Sequence, residues 1–222
     1  MSHILIIGGM GPQASIYAHR RLIDVAYHRG ARTNEDYPQI THLSINVPDF
    51  ISNTTQRDKA RAILIKALES IDSESVTAGF IACNTAHMLY DDLTAVVSAD
   101  KIVSIIDATR ARLDAIRLAT PSVSFGILAS PSTIKSNFYD ADILPSTSDI
   151  DVIEDCIRNL IANAEPTDVA PKLQTVIDNL RDRGATHVVL GCTELSMLND
   201  YIGGVEIIDP IDIVTAIVAE KD

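Results

Sequence analysis

"GFIACNTAH" at residues 79–87 and "HVVLGCTEL" at 187–195 decide how this chain is read. Each is an apolar run that stops at a cysteine and continues into small polar residues. Runs rich in Ile and Val, with few alternating polar residues, mark strands buried on both faces, the pattern of a parallel sheet covered by helices. Cys83 and Cys192 stand about half of the 222-residue chain apart. Two similar halves, each delivering a cysteine at a strand's carboxyl end, would produce that spacing. Ligands of open parallel sheets bind beyond those ends, so facing halves would point both thiols into one cleft.

Working outward, the same alternation recurs. "HILIIGG" (3–9) reads as a buried strand running through a glycine turn into the helix "PQASIYAHRRLIDVAYHR" (12–29), with Ile16, Leu22, Ile23 and Ala26 on its apolar face. Strand "ITHLSINV" (40–47), a loop through Asn53, helix "RDKARAILIKALESI" (57–71) and strand "AGFIAC" (78–83) follow, with a helix after Thr85. Further strands are predicted at "KIVSII" (101–106), "VSFGIL" (123–128) and "HVVLG" (187–191). The fold class is α/β, in two similar parallel-sheet domains. The first spans 1–105 and regains a C-terminal segment, 207–222, whose helix "DIVTAIVAEKD" returns to it; the second spans 106–206.

Composition narrows the function. A net charge of −12 argues against a nucleic-acid surface, since phosphates are held mainly by Lys and Arg. No apolar run reaches the roughly 18 residues that cross a bilayer, and "MSHILIIGGMGP" has glycines where a signal peptide has a cleavage site. Three cysteines, Cys83, Cys156 and Cys192, are too few for a disulfide framework and suit a reducing, cytoplasmic setting. The expected partner is a small molecule, with no membrane and no nucleic acid.

Gly9, Gly11 and Ala14 match the G-x-G-x-x-A form of the dinucleotide fingerprint, but Glu35 and Asp36 precede the second strand, where that motif wants its acid at the strand's end. A plain turn and a substrate-lining loop fit "GGMGP" equally, and Pro12 suits a first helical turn. A lone cysteine after an apolar strand is usually packing. Beside Cys83, however, Asn84 and Thr85 bring donors to a helix start, which favours a thiolate or a bound carboxylate. Thr193 and Glu194 give Cys192 polar neighbours of the same kind. His87 makes no metal set with Cys83 and reads as a helix-face residue, structural or supporting. Cys156, inside the helical pattern "DIDVIEDCIRNLI", belongs to the core or to a helix surface. Two thiols suit inversion at carbon: one, as thiolate, removes a proton, and the other, as thiol, returns one to the opposite face.

"GGMGP", "CNTAH" at 83–87, "GCTEL" at 191–195 and "IIDP" at 207–210 occur in the order, and over the length, that resembles the aspartate/glutamate racemase family in its aspartate racemase branch. The resemblance implies two flavodoxin-like α/β domains related by a pseudo-twofold, a homodimer, and amino-acid racemisation without pyridoxal phosphate, metal or nucleotide. It assigns Cys83 and Cys192 as the catalytic acid-bases, and Met10, Asn84, Thr85 and Thr193 as holders of the amino-acid head group, with Glu194 as contact or support. By the same resemblance the loop after the second strand binds the side-chain carboxylate through an Arg-Thr pair. Here Asn53 precedes Thr54, Arg57 lies a turn away, and "IRNLIANA" (157–164) offers only Arg158, with Ala162 where a Lys is sought. An amide supplies hydrogen bonds without counter-charge. A neutral or amide amino acid, a decarboxylase or cis-trans isomerase on a similar scaffold, and a non-catalytic amino-acid-binding relative therefore stand beside aspartate racemisation.

Overall fold

In the computed structural model, which describes residues 2–48 and 56–221, the chain divides into two units, Met1–Ile105 with Ile211–Asp222, and Ile106–Pro210. The first is built on β1 (His3–Gly8), β2 (Gln39–Ser44), β3 (Ala78–Ile81) and β4 (Ile102–Val103), ordered β2-β1-β3-β4. All their pairings are parallel, with Ile4 opposite Ile40 on one side and Ala78 on the other. Ile4, Leu5, Ile6 and Ile7 are fully buried, as a central strand covered on both faces requires.

Helix α1 (Pro12–His28) starts at Gly11 with Pro12 in its first turn, where a missing N–H costs nothing. Its buried stripe is Ala14, Ala18 and Leu22, spaced by four, together with Ser15. Ile16, expected on that stripe, is 61% exposed. Two residues from Ala14, it points about 200° round the helix, so small residues rather than the isoleucine meet the sheet. Helix α2 (Arg57–Leu68) buries Ala60, Leu64 and Leu68, and α3 (Tyr90–Val97) buries Leu93 and Val97.

The second unit holds β5 (Phe125–Leu128), β6 (His187–Leu190) and β7 (Glu206–Ile208), parallel and ordered β5-β6-β7. With them are α4 (Ile105–Ala119), α5 (Pro131–Ser136), α6 (Thr147–Ile161) and α7 (Pro166–Asp182). The expected strand 101–106 is shorter: only Ile102 and Val103 pair, and Ile105 and Ile106 already belong to α4. Ser146 and Asp149 close a capping box at the start of α6. Burial pushes the Asp149 carboxyl up, but hydrogen bonds from Ser146 and Asn179 outweigh it and hold the group below the usual aspartate range. Cys156 faces the core from α6, fully buried, and burial pushes its thiol up.

The chain re-enters the first unit at Ile211 rather than at 207, because Ile207 and Ile208 pair with β6. From there α8 (Pro210–Val218) buries Ile211, Val214 and Val218. Arg21 on α1 donates to Asp212 at 2.6 Å. Arg29 donates to the carbonyls of Ala216 and Ala219, supplying partners for the end of α8.

Candidate active site

In the first unit, β1 and β3 are neighbours in register Ile7 opposite Ile81, and the Ala82 N–H donates to the Ile7 carbonyl at 2.8 Å. Their exits therefore lie side by side at the carboxyl end of the sheet. Met10 and Cys83 share one apolar cluster with Ile7, Ile81 and Ala86. Cys83 is 5% exposed, and Asn84 and Thr85 are buried with it. The turn after β1 is tight: Gly9 has φ +94°, and a Cβ there would lie 2.3 Å from the Ile45 nitrogen. His42, next to Gly8 on β2, has its imidazole pushed below the usual range by burial and then by His19.

The helix expected after Thr85 begins as a 3-10 turn, Thr85–Leu89, and only then continues into α3. His87 accordingly lies inside that turn, buried, rather than on a helix face. Its Nδ1 is 2.9 Å from the Cys83 carbonyl, and the Ile105 N–H donates to its Nε2 at 3.2 Å.

In the second unit Cys192 follows β6 through Gly191, where a Cβ would lie 2.8 Å from that of Ala129 after β5. The exits of β5 and β6 thus touch. Cys192, also 5% exposed, has extended backbone and precedes a 3-10 segment, Thr193–Tyr201. Its thiol donates to Glu194 Oε2 at 3.0 Å, and Thr193 Oγ1 lies 3.5 Å from the same oxygen. Glu194 is 1% exposed. A carboxylate so placed disfavours a neighbouring thiolate by like-charge repulsion, and it can receive the proton when the sulfur ionises.

Each unit thus brings its own sequence-predicted residues together: Met10, Cys83, Asn84 and Thr85 in the first, Cys192, Thr193 and Glu194 in the second. Asn53 and Thr54 lie outside the described residues. Arg57 is exposed at the start of α2, and Arg158 donates at 2.6 Å to Glu154 one turn back on α6. Ser130 and Ser196 escaped the sequence reading, and Asp209 entered it only within the motif "IIDP". Ser130, fully buried at the exit of β5, caps α5 through Thr133, and its Ser-Pro sequence before a helix was the available signal. Ser196 donates to Asp209 at 2.7 Å, both buried, and no short-range pattern announces a contact between residues 13 apart. Among the described residues, no three of His, Cys, Asp and Glu are grouped to hold a metal ion, and no helix is long and apolar enough to cross a membrane.

The family profile of Asp/Glu/Hydantoin racemases matches residues 7–218. The chain belongs to the Asp/Glu/Hydantoin racemase family. Isomerase is the enzyme class that goes with it. The chain is 22% identical over 204 residues to the broad specificity amino-acid racemase of Bacillus subtilis (strain 168), covering 89% of this chain and 87% of that one. Among solved structures, Picrophilus torridus aspartate racemase superposes with a TM-score of 0.79 at 21% identity, over 99% of this chain and 94% of the other. An aspartate racemase homologue from Pyrococcus horikoshii OT3 gives 0.74 at 23% identity, over 99% and 98%. At these identities the racemase structures share the fold, two parallel-sheet α/β units.

Proposed function

We propose that the protein is a cofactor-independent amino-acid racemase in which Cys83 and Cys192 act as acid and base at Cα. The observation that carries the reading is the repetition itself: each unit holds one nearly buried thiol at the exit of a parallel strand, followed directly by buried polar residues at a 3-10 segment. A thiolate takes the Cα proton, and the second thiol delivers one to the other face, so atoms and charge balance without a further reactant. Asn84, Thr85 and Thr193 offer donors for the carboxylate of the carbon acid, where charge develops on ionisation. Met10 contributes apolar lining, and Glu194 receives the Cys192 proton or keeps it in place. A homodimer goes with this reading by family resemblance, and a cytoplasmic setting by the three cysteines, too few for a disulfide framework.

Aspartate is the first substrate to offer, given the aspartate racemase and the aspartate racemase homologue that share the fold. Asn53 favours a second reading, a neutral or amide side chain, because an amide gives a carboxylate no counter-charge. The broad specificity of the Bacillus relative supports the same reading.

The test is Cα deuterium uptake in heavy water, followed by NMR, for acidic, amide and neutral amino acids offered as either enantiomer. Uptake with inversion is expected for at least one of them, and lost in both Cys83→Ser and Cys192→Ser. Silence across the whole panel, or full turnover in both variants, would overturn the proposal.

A further inference from the structure

We propose that His87 and Ser196 are positioning residues, each latching its cysteine turn to the start of the helix at which the chain leaves that unit. The inference rests on the reading of Cys83 and Cys192 as the acid-base pair. Both residues stand four positions after their cysteine, within the 3-10 segment that follows it. His87 reaches Ile105, the first residue of α4 and the last of the first unit's leading stretch. Ser196 reaches Asp209, which directly precedes Pro210, the first residue of α8 and the last of the second unit. The side chains and the bonds differ, but both run from the 3-10 segment after the cysteine to the residue at, or just before, a helix start.

The chemistry of the first latch follows from its partners. A backbone N–H can only donate, so Nε2 of His87 presents a lone pair to Ile105 and the ring is neutral, with its proton on Nδ1 aimed at the Cys83 carbonyl. One imidazole thereby supplies a partner to one of the amides left open at a helix start and fixes the peptide that carries the thiol. Tyr90 braces it: the two rings stack at 5.5 Å and 13°, and the tyrosine hydroxyl donates to the Ile102 carbonyl at 2.7 Å. In the second latch the Ser196 hydroxyl donates to the Asp209 side chain at 2.7 Å, at the positive end of α8. Both bonds are buried, which limits competition from water.

A thiol that must meet a carbon within a few tenths of an ångström depends on such fixing, since a misplacement of about 1 Å can cost about 100-fold in rate. The full chain carrying His87→Ala, His87→Asn, His87→Gln or Ser196→Ala is compared with the unchanged protein. Asparagine can return the donor to the Cys83 carbonyl; glutamine can return the acceptor to Ile105. Two readouts are taken: the pH profile of iodoacetamide alkylation at each cysteine, resolved by mass spectrometry, and kcat and KM for Cα exchange.

His87→Ala is expected to displace the profile of Cys83 and leave that of Cys192 in place, and Ser196→Ala to do the reverse. Turnover should fall about 10- to 100-fold with KM nearly constant, as misplacement of a reacting group predicts. His87→Asn should recover most of this and His87→Gln little; should His87→Ala not fold, that pair decides alone. Nitrogen-15 spectra should show His87 as the neutral Nδ1–H tautomer. Profiles unchanged in every variant, equal displacement at both cysteines, or asparagine no better than glutamine would overturn the latches. A protein that exchanges no amino acid refutes the racemase reading instead, and the alkylation profiles still decide the latches.

Discussion

Gly9→Ala tests whether the turn that delivers Met10 is held by shape. At φ +94° any side chain costs about 1–2 kcal/mol. The added Cβ would also lie 2.3 Å from the nitrogen and 2.4 Å from the oxygen of Ile45, backbone atoms that cannot rotate away. Relief means parting the exits of β1 and β2, which strains the bond from the Ile45 N–H to the Gly8 carbonyl and adds an overpacking cost of about 1–3 kcal/mol. With the weakened hydrogen bond, the loss comes to about 3–6 kcal/mol. For a chain of this length that is a fall in Tm of about 6–24 °C. Gly30 is the control: its φ is +112°, yet a Cβ there meets nothing within 4 Å, so Gly30→Ala pays only for the backbone, about 1–2 kcal/mol. Thermal and urea unfolding followed by circular dichroism would separate the two. If Gly9→Ala is no less stable than Gly30→Ala, the close approach to Ile45 has no energetic weight.

Glu194→Gln replaces the carboxylate beside Cys192 with a neutral group of the same shape, so Cys192 should become alkylatable at lower pH while Cys83 is unaffected; an unmoved profile would show that the 3.0 Å contact does not govern the thiol. Cys156, fully buried and pushed up by its surroundings, should be the last of the three thiols to react in the native protein and should become reactive on unfolding in urea. Asp149 is held below the usual aspartate range, so its contribution to stability is complete above the ordinary aspartate value and is lost as pH falls through its lower folded value. Asp149→Asn should flatten that acid limb, and Ser146→Ala should cost about 1 kcal/mol through loss of the cap, both read from urea midpoints across pH.

The strands that matter most were legible because a central parallel strand has no solvent face: Ile4–Ile7, Ala78–Ile81 and Val188–Leu190 are continuous apolar runs and are buried throughout. Pro12 announced the start of α1 for an equally local reason. The failures came where the outcome depends on distant neighbours. Nothing within "KIVSII" tells Val103, paired with β3, from Ile105, already helical. Ile16 looks like core, yet the alanines on either side of it do the packing. At the site, Cys83 with Asn84, and Cys192 with Glu194, could be read from adjacency along the chain. The bond from Ser196 to Asp209 could not, because only the fold sets that distance.

The position of α8 has a consequence for biosynthesis. Every strand and helix of the second unit precedes α8, whereas the first unit needs Ile211, Val214 and Val218 to cover its surface and Asp212 to meet Arg21. On the ribosome, therefore, the half whose strands emerge first is completed last, and it waits without the apolar side chains of α8 while the later half is able to fold. A stall or truncation before α8 would leave the nascent chain with one finished unit and one sticky one, and the sticky one would be the N-terminal half.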